Sequence, residues 1–457
     1  MKVKRLTMQS FRGIGDLTLD FDETEPTILI GINGVGKSSI LECLAILLSQ
    51  VTGQIQDSLD ALRFFSNLDV MNGRDRMKNT ITVLLEFQEL TWSLSDRQET
   101  KNIDIIQEIF ELEKEIRRNL KSSPEYQNLL LQLENISKRI EAHILNKLIG
   151  DLKTVFENLK HQLATIPNAN IPLAVYYPVN RAVIDMPLEI SESSSFKQVD
   201  AYEQSLTGGR IDFKRFFEWF RNREDLENEK RRDNSNYRDQ QLEAVRQAIV
   251  SLIPDFSNLR VERSPLRMTV RKQGEELIVN QLSDGEKCLL AMVGDLARRL
   301  AIANPGLSEP LHGAGVVLID EIELHLHPKW QREIIPALTR TFPNCQFIVT
   351  THSPQVISHV KPEGIYILEK TDNGVIAKRP ESSFGRDSNR ILEDLMDVPE
   401  RPQEIKTSLL ELFRLIDAGN LEGARKLRQQ LAAEIGADEP EFVRADVLIR
   451  RKEILNR

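Results

Sequence analysis

The sequence predicts an α/β protein built on a parallel sheet whose strands end in loops carrying chemically reactive side chains. Three observations lead there. The apolar run Thr27–Ile30 passes directly into the glycine loop GINGVGKS and then into ILECLAILLSQ, which is strand, loop, helix. The apolar run VVLI at residues 316–319 ends in Asp320 and Glu321, as a strand buried on both faces does. A second buried run, CQFIVT at 345–350, ends in Thr351 and His352.

The other elements follow in order. Val3–Ser10 and Ile14–Phe21 alternate polar and apolar residues and read as two strands, with Gly13 and Gly15 at the break. Thr80–Phe87 is β-branched and reads as another strand. From about Leu94 to Ile166 the pattern turns helical. Ile105, Ile109, Leu112 and Ile116 lie on one stripe, Ser122-Ser123-Pro124 breaks the helix, and a second stripe runs from Leu133 to Leu159. An antiparallel helical hairpin is expected, with a first arm of about 25 residues, or about 37 Å.

Strand character returns at Pro172–Tyr177, and Ser191–Gly209 is polar enough to read as a mobile loop. Phe213, Phe216, Phe217 and Phe220 fall at core spacing on a helix, and Asn228–Gln241 reads as a solvated face or loop. Strands are expected at 259–262, 266–271 and 276–279, then a helix, the two buried strands and a helical tail. The expected domains are 1–95 and 167–380 as two parts of one α/β head, 96–166 as the inserted hairpin, and 381–457 as a helical region for partner or self docking.

Composition narrows the class. A chain of 457 residues can hold two or three domains, and 40% hydrophobic with 28% charged residues is ordinary for a soluble protein. No stretch is read as approaching the roughly 20 apolar residues of a membrane span, and the start lacks a signal-peptide core. A cytoplasmic protein without a membrane partner is expected. Cys43, Cys288 and Cys345 are scattered and read as buried reduced thiols rather than a disulfide framework or zinc cage. A net charge of −9 argues against nonspecific coating of nucleic acid, though a local basic groove stays open.

The loop Gly31–Ser38 matches G-x4-G-K-S, the phosphate-binding Walker A pattern. Its glycines let successive N–H groups face phosphate oxygens, and the following helix adds its positive end. Lys37 would reach the β- and γ-phosphates and Ser38 would hold Mg²⁺. Asn33, Gly34, Gly36 and Ser39 complete the candidate nucleotide-contacting set. Asp320 can orient Mg²⁺ through water, and Glu321 can act as general base. In LSDGEK at 282–287, Ser283, Gly285 and Glu286 open an apolar helix, either as an anion-binding turn or as an ordinary N-cap.

The order of LSDGEK before VVLIDE resembles the signature and Walker B motifs of ABC-type ATPases, over residues 1–60 and 167–378. The resemblance implies the fold of an ABC-ATPase head: a mixed β-sheet lobe, a parallel phosphate-loop sheet and flanking helices. It implies ATP and Mg²⁺ as cofactors and two copies closed head-to-tail. Ser283 and Gly285 of one copy would then contact the γ-phosphate held by its partner. His352 resembles the family's γ-phosphate-sensing switch, or else caps a strand end. LSDGEK lacks the second glycine and the glutamine of transporters and instead resembles the branch of RecF, SMC-like and OLD-like proteins. Arg12, in SFRG, matches a phosphate-contacting basic residue of that branch, or is a plain surface arginine.

Gln54, Gln56 and Gln88 are all open as the Q-loop glutamine, and Tyr176–Arg181 resembles the corresponding loop. In IELHLHP, His325 and His327 would lie at the dimer seam, with a metal pair as the other reading.

GRDSNRILEDLMDVPERP and PEFVRADVLIRRKEIL, with VYYPVNRAV and FFEWFRNRED, resemble the ATPase subunit of Septu-type (PtuA-like) anti-phage systems, some of them retron-linked. The resemblance implies a homodimer or larger homo-oligomer and a separate HNH-type nuclease. It also implies nucleic acid bound through the complex and, in retron-linked members, a reverse transcriptase with its RNA/DNA product. Glu393, Asp394 and Asp397 read as a solvated helix face rather than a two-metal nuclease site. A RecF-like, ATP-gated DNA-binding repair protein is the alternative function, and a nucleotide-gated scaffold a third.

Overall fold

A computed structural model describes residues 1–56, 58, 61–85, 87–95, 150–166, 168–180 and 196–455, in two units, Met1–Arg386 and Asp387–Arg457. Of the hairpin expected over 96–166, residues 96–149 lie outside the described residues.

The first unit opens with the two alternating segments, β1 (Lys2–Phe11) and β2 (Gly15–Asp20), paired antiparallel, followed by β3 (Thr27–Ile30) and helix α1 (Lys37–Gln56). The β-branched stretch forms β4 (Lys78–Leu85), and β5 (Gln88–Ser95) returns beside it. The sequence reading gave β5 no strand of its own, although Leu90, Trp92 and Leu94 alternate across it and are buried.

Helix α2 (Gly150–Thr165) precedes β6 (Leu173–Tyr177). The aromatic helix α3 (Phe213–Arg231), capped by Asp212, buries Phe213, Phe216, Phe217 and Phe220, and α4 (Gln240–Leu252) is capped by Asp239. A separate antiparallel sheet follows from β7 (Phe256–Arg263), β8 (Leu266–Lys272) and β9 (Glu275–Ile278). Helix α5 (Asp284–Ala303), β10 (Gly315–Ile319), α6 (Pro328–Thr341), β11 (Cys345–Thr350) and the single turn α7 (Pro354–Ile357) come next. The hairpin β12 (Ile365–Thr371) and β13 (Gly374–Lys378) completes the unit's strands.

Ten strands make one sheet in the order β5-β4-β1-β2-β13-β12-β3-β11-β10-β6. Half of it is parallel: β12, β3, β11, β10 and β6 pair side by side in one direction. Residues of β3, β6, β10 and β11 are buried throughout, which is why their sequences are apolar runs. The other half is antiparallel, and β2 alternates buried and exposed residues. β3 sits between β11 and β12, strands that lie more than 300 residues further along the chain. The Gln346 amide ties the same two regions, accepting from Val3 N–H at 2.7 Å and donating to the Val3 and Asp22 carbonyls at 2.9 and 2.7 Å.

Two expectations are corrected. Residues 196–209, read as a mobile loop, are packed: Gln198–Tyr202 forms a 3₁₀ turn, and the Tyr202 hydroxyl donates to the Pro172 carbonyl at 2.6 Å. The polar side chains that suggested solvation are instead bonded to the body, as Gln198 is to the Ala169 and Ala303 carbonyls. Secondly, α1 is by length and composition able to cross a bilayer, against the expectation that no stretch would be. Its residues from Ile40 to Ile55 are mostly buried within the fold, so it is a core helix.

The second unit holds α8 (Ser388–Met396), α9 (Gln403–Asp417), α10 (Leu421–Ile435) and α11 (Pro440–Leu455). It has a core of its own around Leu409, Leu412, Ile416, Leu431, Phe442 and Ile449. Glu393 pairs with Lys406, and Asp397 closes α8 in a left-handed conformation.

Candidate active site

The turn between β3 and α1 follows from its glycines. Gly31 has φ +146°, and a Cβ there would lie 2.5 Å from the Leu368 carbonyl oxygen on β12, so only glycine lets the loop leave the sheet. Asn33, Gly34 and Ser38 are exposed, while Lys37 is 6% exposed. The Lys37 Nζ donates to the carbonyls of Gly31 and Ile32 at 2.8 and 3.1 Å. Burial pushes its pKa below the usual value, against the opposing pull of Asp320, Glu321 and Glu323. A cation is thus held inside its own loop, facing three carboxylates.

Those carboxylates sit where β10 ends beside β11. Asp320 is buried, and its N–H donates to the Tyr177 carbonyl at 2.9 Å. Glu321 takes a left-handed φ of +46°, a conformation costing about 1–3 kcal/mol for a non-glycine residue and found chiefly at functional sites. Thr350, at the end of β11, binds both: its hydroxyl donates to Asp320 Oδ1 at 2.5 Å and accepts from the Glu321 N–H at 2.7 Å. Glu323 accepts from the Thr351 hydroxyl at 2.7 Å and from the His352 backbone N–H at 2.5 Å. Sequence reasoning missed both Thr350 and Glu323. The signal was two threonines closing an otherwise apolar strand directly before His352.

Arg12, also left-handed at φ +48°, reaches the first turn of α1. Its guanidinium pairs with Glu42 at 2.7 Å and Asp69 at 2.8 Å, and donates to Ser39 Oγ at 3.2 Å. It is therefore a fixed, half-buried group beside the phosphate loop rather than a free surface arginine.

The signature turn lies at the start of α5. Ser283 is exposed and is the N-cap. Glu286 is turned inward: its carboxylate accepts from the Ser283 N–H and hydroxyl at 3.0 and 2.8 Å and pairs with Lys272 at 2.6 Å. Burial would raise the Glu286 pKa, yet Lys272 and Ser283 hold it below the usual carboxylate range. In this chain, Glu286 supports the turn with the side chain that was expected to meet nucleotide. Gly285 packs so closely on the His325 carbonyl oxygen that a Cβ would overlap it, which joins the signature helix to the segment after Glu321.

His325 is exposed and left-handed at φ +63°, whereas His327 caps α6, its Nδ1 accepting from the Lys329 N–H at 3.3 Å. Among the described residues no three His, Cys, Asp or Glu side chains gather to hold a metal ion. Of the Q-loop candidates, Gln54 is buried near the end of α1 and Gln88 opens β5. Pro178–Asn180 follow β6 next to Asp320, and Arg181 lies outside the described residues.

Behind the site, α5 carries a buried ionic cluster. Asp295 binds Arg298 at 2.8 Å, Arg299 at 2.7 Å and the Tyr177 hydroxyl at 3.0 Å, and Arg299 also donates to the Ala201 and Glu203 carbonyls. The cluster fastens the signature helix to the end of β6.

A family model described as an AAA domain matches residues 5–256, and a second AAA-domain model, whose description adds the AbiEii toxin and type IV TA systems, matches 177–358. The chain is 30% identical to the retron Ec83 probable ATPase of Escherichia coli, covering 99% of this chain and 87% of that one. It is 29% identical to the retron Vc95 probable ATPase of Vibrio cholerae serotype O1 biovar El Tor, covering 91% and 82%. Over 17% of this chain and 10% of the relative it is 41% identical to the Septu protein PtuA of Bacillus mycoides (strain KBAB4). With a phosphate loop, a strand ending in the buried Asp320 and in Glu321, and near full-length similarity together, the chain belongs to the retron ATPase family and is an ABC-type ATPase of the RecF, SMC and OLD branch.

Proposed function

We propose that two copies of this chain close head-to-tail on ATP and Mg²⁺, and that hydrolysis governs a separate HNH-type nuclease in an anti-phage defence complex. The observation that supports this best is Lys37, a buried ammonium bonded by two neutral carbonyls of its own loop and facing Asp320, Glu321 and Glu323. A triphosphate is a better counter-ion than two carbonyls, so Lys37 turns to the β- and γ-phosphates when nucleotide binds. The exposed Ser38 hydroxyl and the Asp320 carboxylate are hard oxygen donors of the kind Mg²⁺ takes, and they would hold it. ATP supplies the γ-phosphoryl group and its phosphoanhydride bond. Glu321 accepts the proton of the attacking water, His352 contacts the γ-phosphate, and Asn33, Gly34, Gly36 and Ser39 line the loop with Arg12 behind Ser39. Ser283 and Gly285 of the partner complete the site.

The names of the relatives support the defence setting. The ATPase acts in the cytoplasm, with nucleic acid and, in a retron, the reverse transcriptase product bound through the complex. The head spans 1–95 and 167–380 as two parts, and residues 381–457 dock the partner or a second copy.

Lys37→Ala should abolish binding of a fluorescent ATP analogue, and unaltered affinity would overturn the phosphate-loop role. Glu321→Gln should bind ATP, lose about 10²–10⁴ in turnover, and elute as a dimer with ATP and Mg²⁺. A monomer under those conditions refutes head-to-tail closure. Co-purified with an HNH-type nuclease as partner, the ATPase should license cleavage of nucleic acid in a nucleotide-dependent way. ATP-dependent DNA binding with no cleavage in any nucleotide state would favour the RecF-like reading instead.

A further inference from the structure

Glu323 has no role in the mechanism above, yet both of its carboxylate oxygens are engaged at the site. One accepts from the His352 backbone N–H at 2.5 Å and the other from the Thr351 hydroxyl at 2.7 Å. The Thr351 oxygen in turn accepts from the Ser353 N–H at 3.0 Å, so the three residues that close β11 are organised around one side chain. Glu323 also lies two residues after Glu321 and two before His325, whose carbonyl abuts Gly285 of the signature helix. A short segment thus touches the Asp-Glu turn, the His352 loop and the signature turn at once.

We propose that Glu323 is a positioning residue for ATP hydrolysis: it fixes the His352 backbone so that the imidazole is held toward the γ-phosphate. The proposal rests on the role given to His352 under the function proposed above. An isolated loop residue after a strand is free to rotate about its own φ and ψ. A carboxylate that accepts from its N–H removes much of that freedom, and misplacement of a catalytic group by about 1 Å can cost about 10²-fold in rate. Glutamine should substitute well. Its carbonyl can accept from the His352 N–H while its NH₂ donates to the Thr351 oxygen, because a hydroxyl serves as donor or acceptor. Alanine keeps neither bond.

The test uses the full chain and compares Glu323→Ala, Glu323→Gln, His352→Ala and the double variant Glu323→Ala/His352→Ala. Glu323→Ala should lower kcat about 10- to 100-fold with ATP affinity changed less than about threefold. Glu323→Gln should recover most of the rate. In the His352→Ala background, Glu323→Ala should remove less than about twofold more. Amide hydrogen exchange at His352 should quicken in Glu323→Ala and stay near native in Glu323→Gln, a readout independent of turnover. Native exchange in Glu323→Ala, a wild-type rate in that variant beside an impaired His352→Ala, or losses that multiply in the double variant would each overturn the proposal. A wild-type rate in His352→Ala strikes the role given to His352 itself and removes the proposal with it, whereas the other outcomes leave His352 standing.

Discussion

Thr350→Val replaces a fully buried side chain by one of nearly the same shape and removes a single hydroxyl from the site. That hydroxyl makes two bonds, one to the Asp320 carboxylate at 2.5 Å and one from the Glu321 N–H at 2.7 Å. A hydrogen bond to a charged group contributes about 1.5–3 kcal/mol, and leaving a buried N–H unpaired costs about 1–3 kcal/mol. Part of that loss lowers stability. The rest frees Glu321, whose left-handed backbone persists only because its surroundings impose it. If about 2 kcal/mol falls on transition-state positioning, kcat drops about thirtyfold at 1.36 kcal/mol per tenfold. Phosphate release at saturating ATP and Mg²⁺ measures this, alongside equilibrium ATP affinity, which should stay within about threefold because Lys37 and its loop are untouched. A folded Thr350→Val protein hydrolysing ATP at the native rate would show that the hydroxyl does not hold the Asp-Glu pair in its working geometry.

Gly285→Ala should force the signature helix from the His325 carbonyl, costing about 1–3 kcal/mol of overpacking strain and lowering turnover more than ATP affinity; native thermal stability and turnover would contradict the close packing. Burial pushes the Asp295 carboxyl up, but Arg299 and Arg298 outweigh it and hold its pKa at about 2, against an ordinary 3.8. Because the folded value is the lower one, this group contributes about 2 kcal/mol above pH 4, and that contribution is lost as the pH falls toward 2. Asp295→Asn should abolish that acid dependence and destabilise the protein by about 3–5 kcal/mol at neutral pH by stranding two buried arginines, as pH-dependent melts would record. Phe442→Ala should cost about 3–5 kcal/mol in the second unit, seen as faster hydrogen exchange across 403–455 with exchange of the ten-stranded sheet unchanged.

The parts of the site that sequence made legible are local in the chain. GINGVGKS carries its own turn and helix start, and VVLIDE carries its own strand end, so Lys37, Ser38, Asp320 and Glu321 could be named from spacing. The parts that escaped depend on neighbours distant in sequence. Thr350 meets Asp320 and Glu321, and Glu323 meets Thr351 and His352, only because β10 and β11 lie parallel with Ile319 opposite Val349. Residues 196–209 looked like free loop because Pro172 and Arg299, their partners, are far along the chain. Glu286 was assigned outward from its motif, whereas Lys272 on the neighbouring β8 draws it inward. The strand β5 was readable in principle from its alternation, but the longer helical stripe beyond it dominated the pattern.

The place of β3 has a consequence for how the protein is made. The phosphate loop leaves the ribosome more than 300 residues before the two strands that flank β3, which begin at Cys345 and Ile365. Such remote pairing is slow to close and leaves an apolar strand waiting for its neighbours. A growing chain therefore displays the lysine loop through those 300 residues without the framework that shapes it. The sheet around the loop closes only when nearly the whole first unit exists, so a half-made copy carries its lysine loop without both flanking strands.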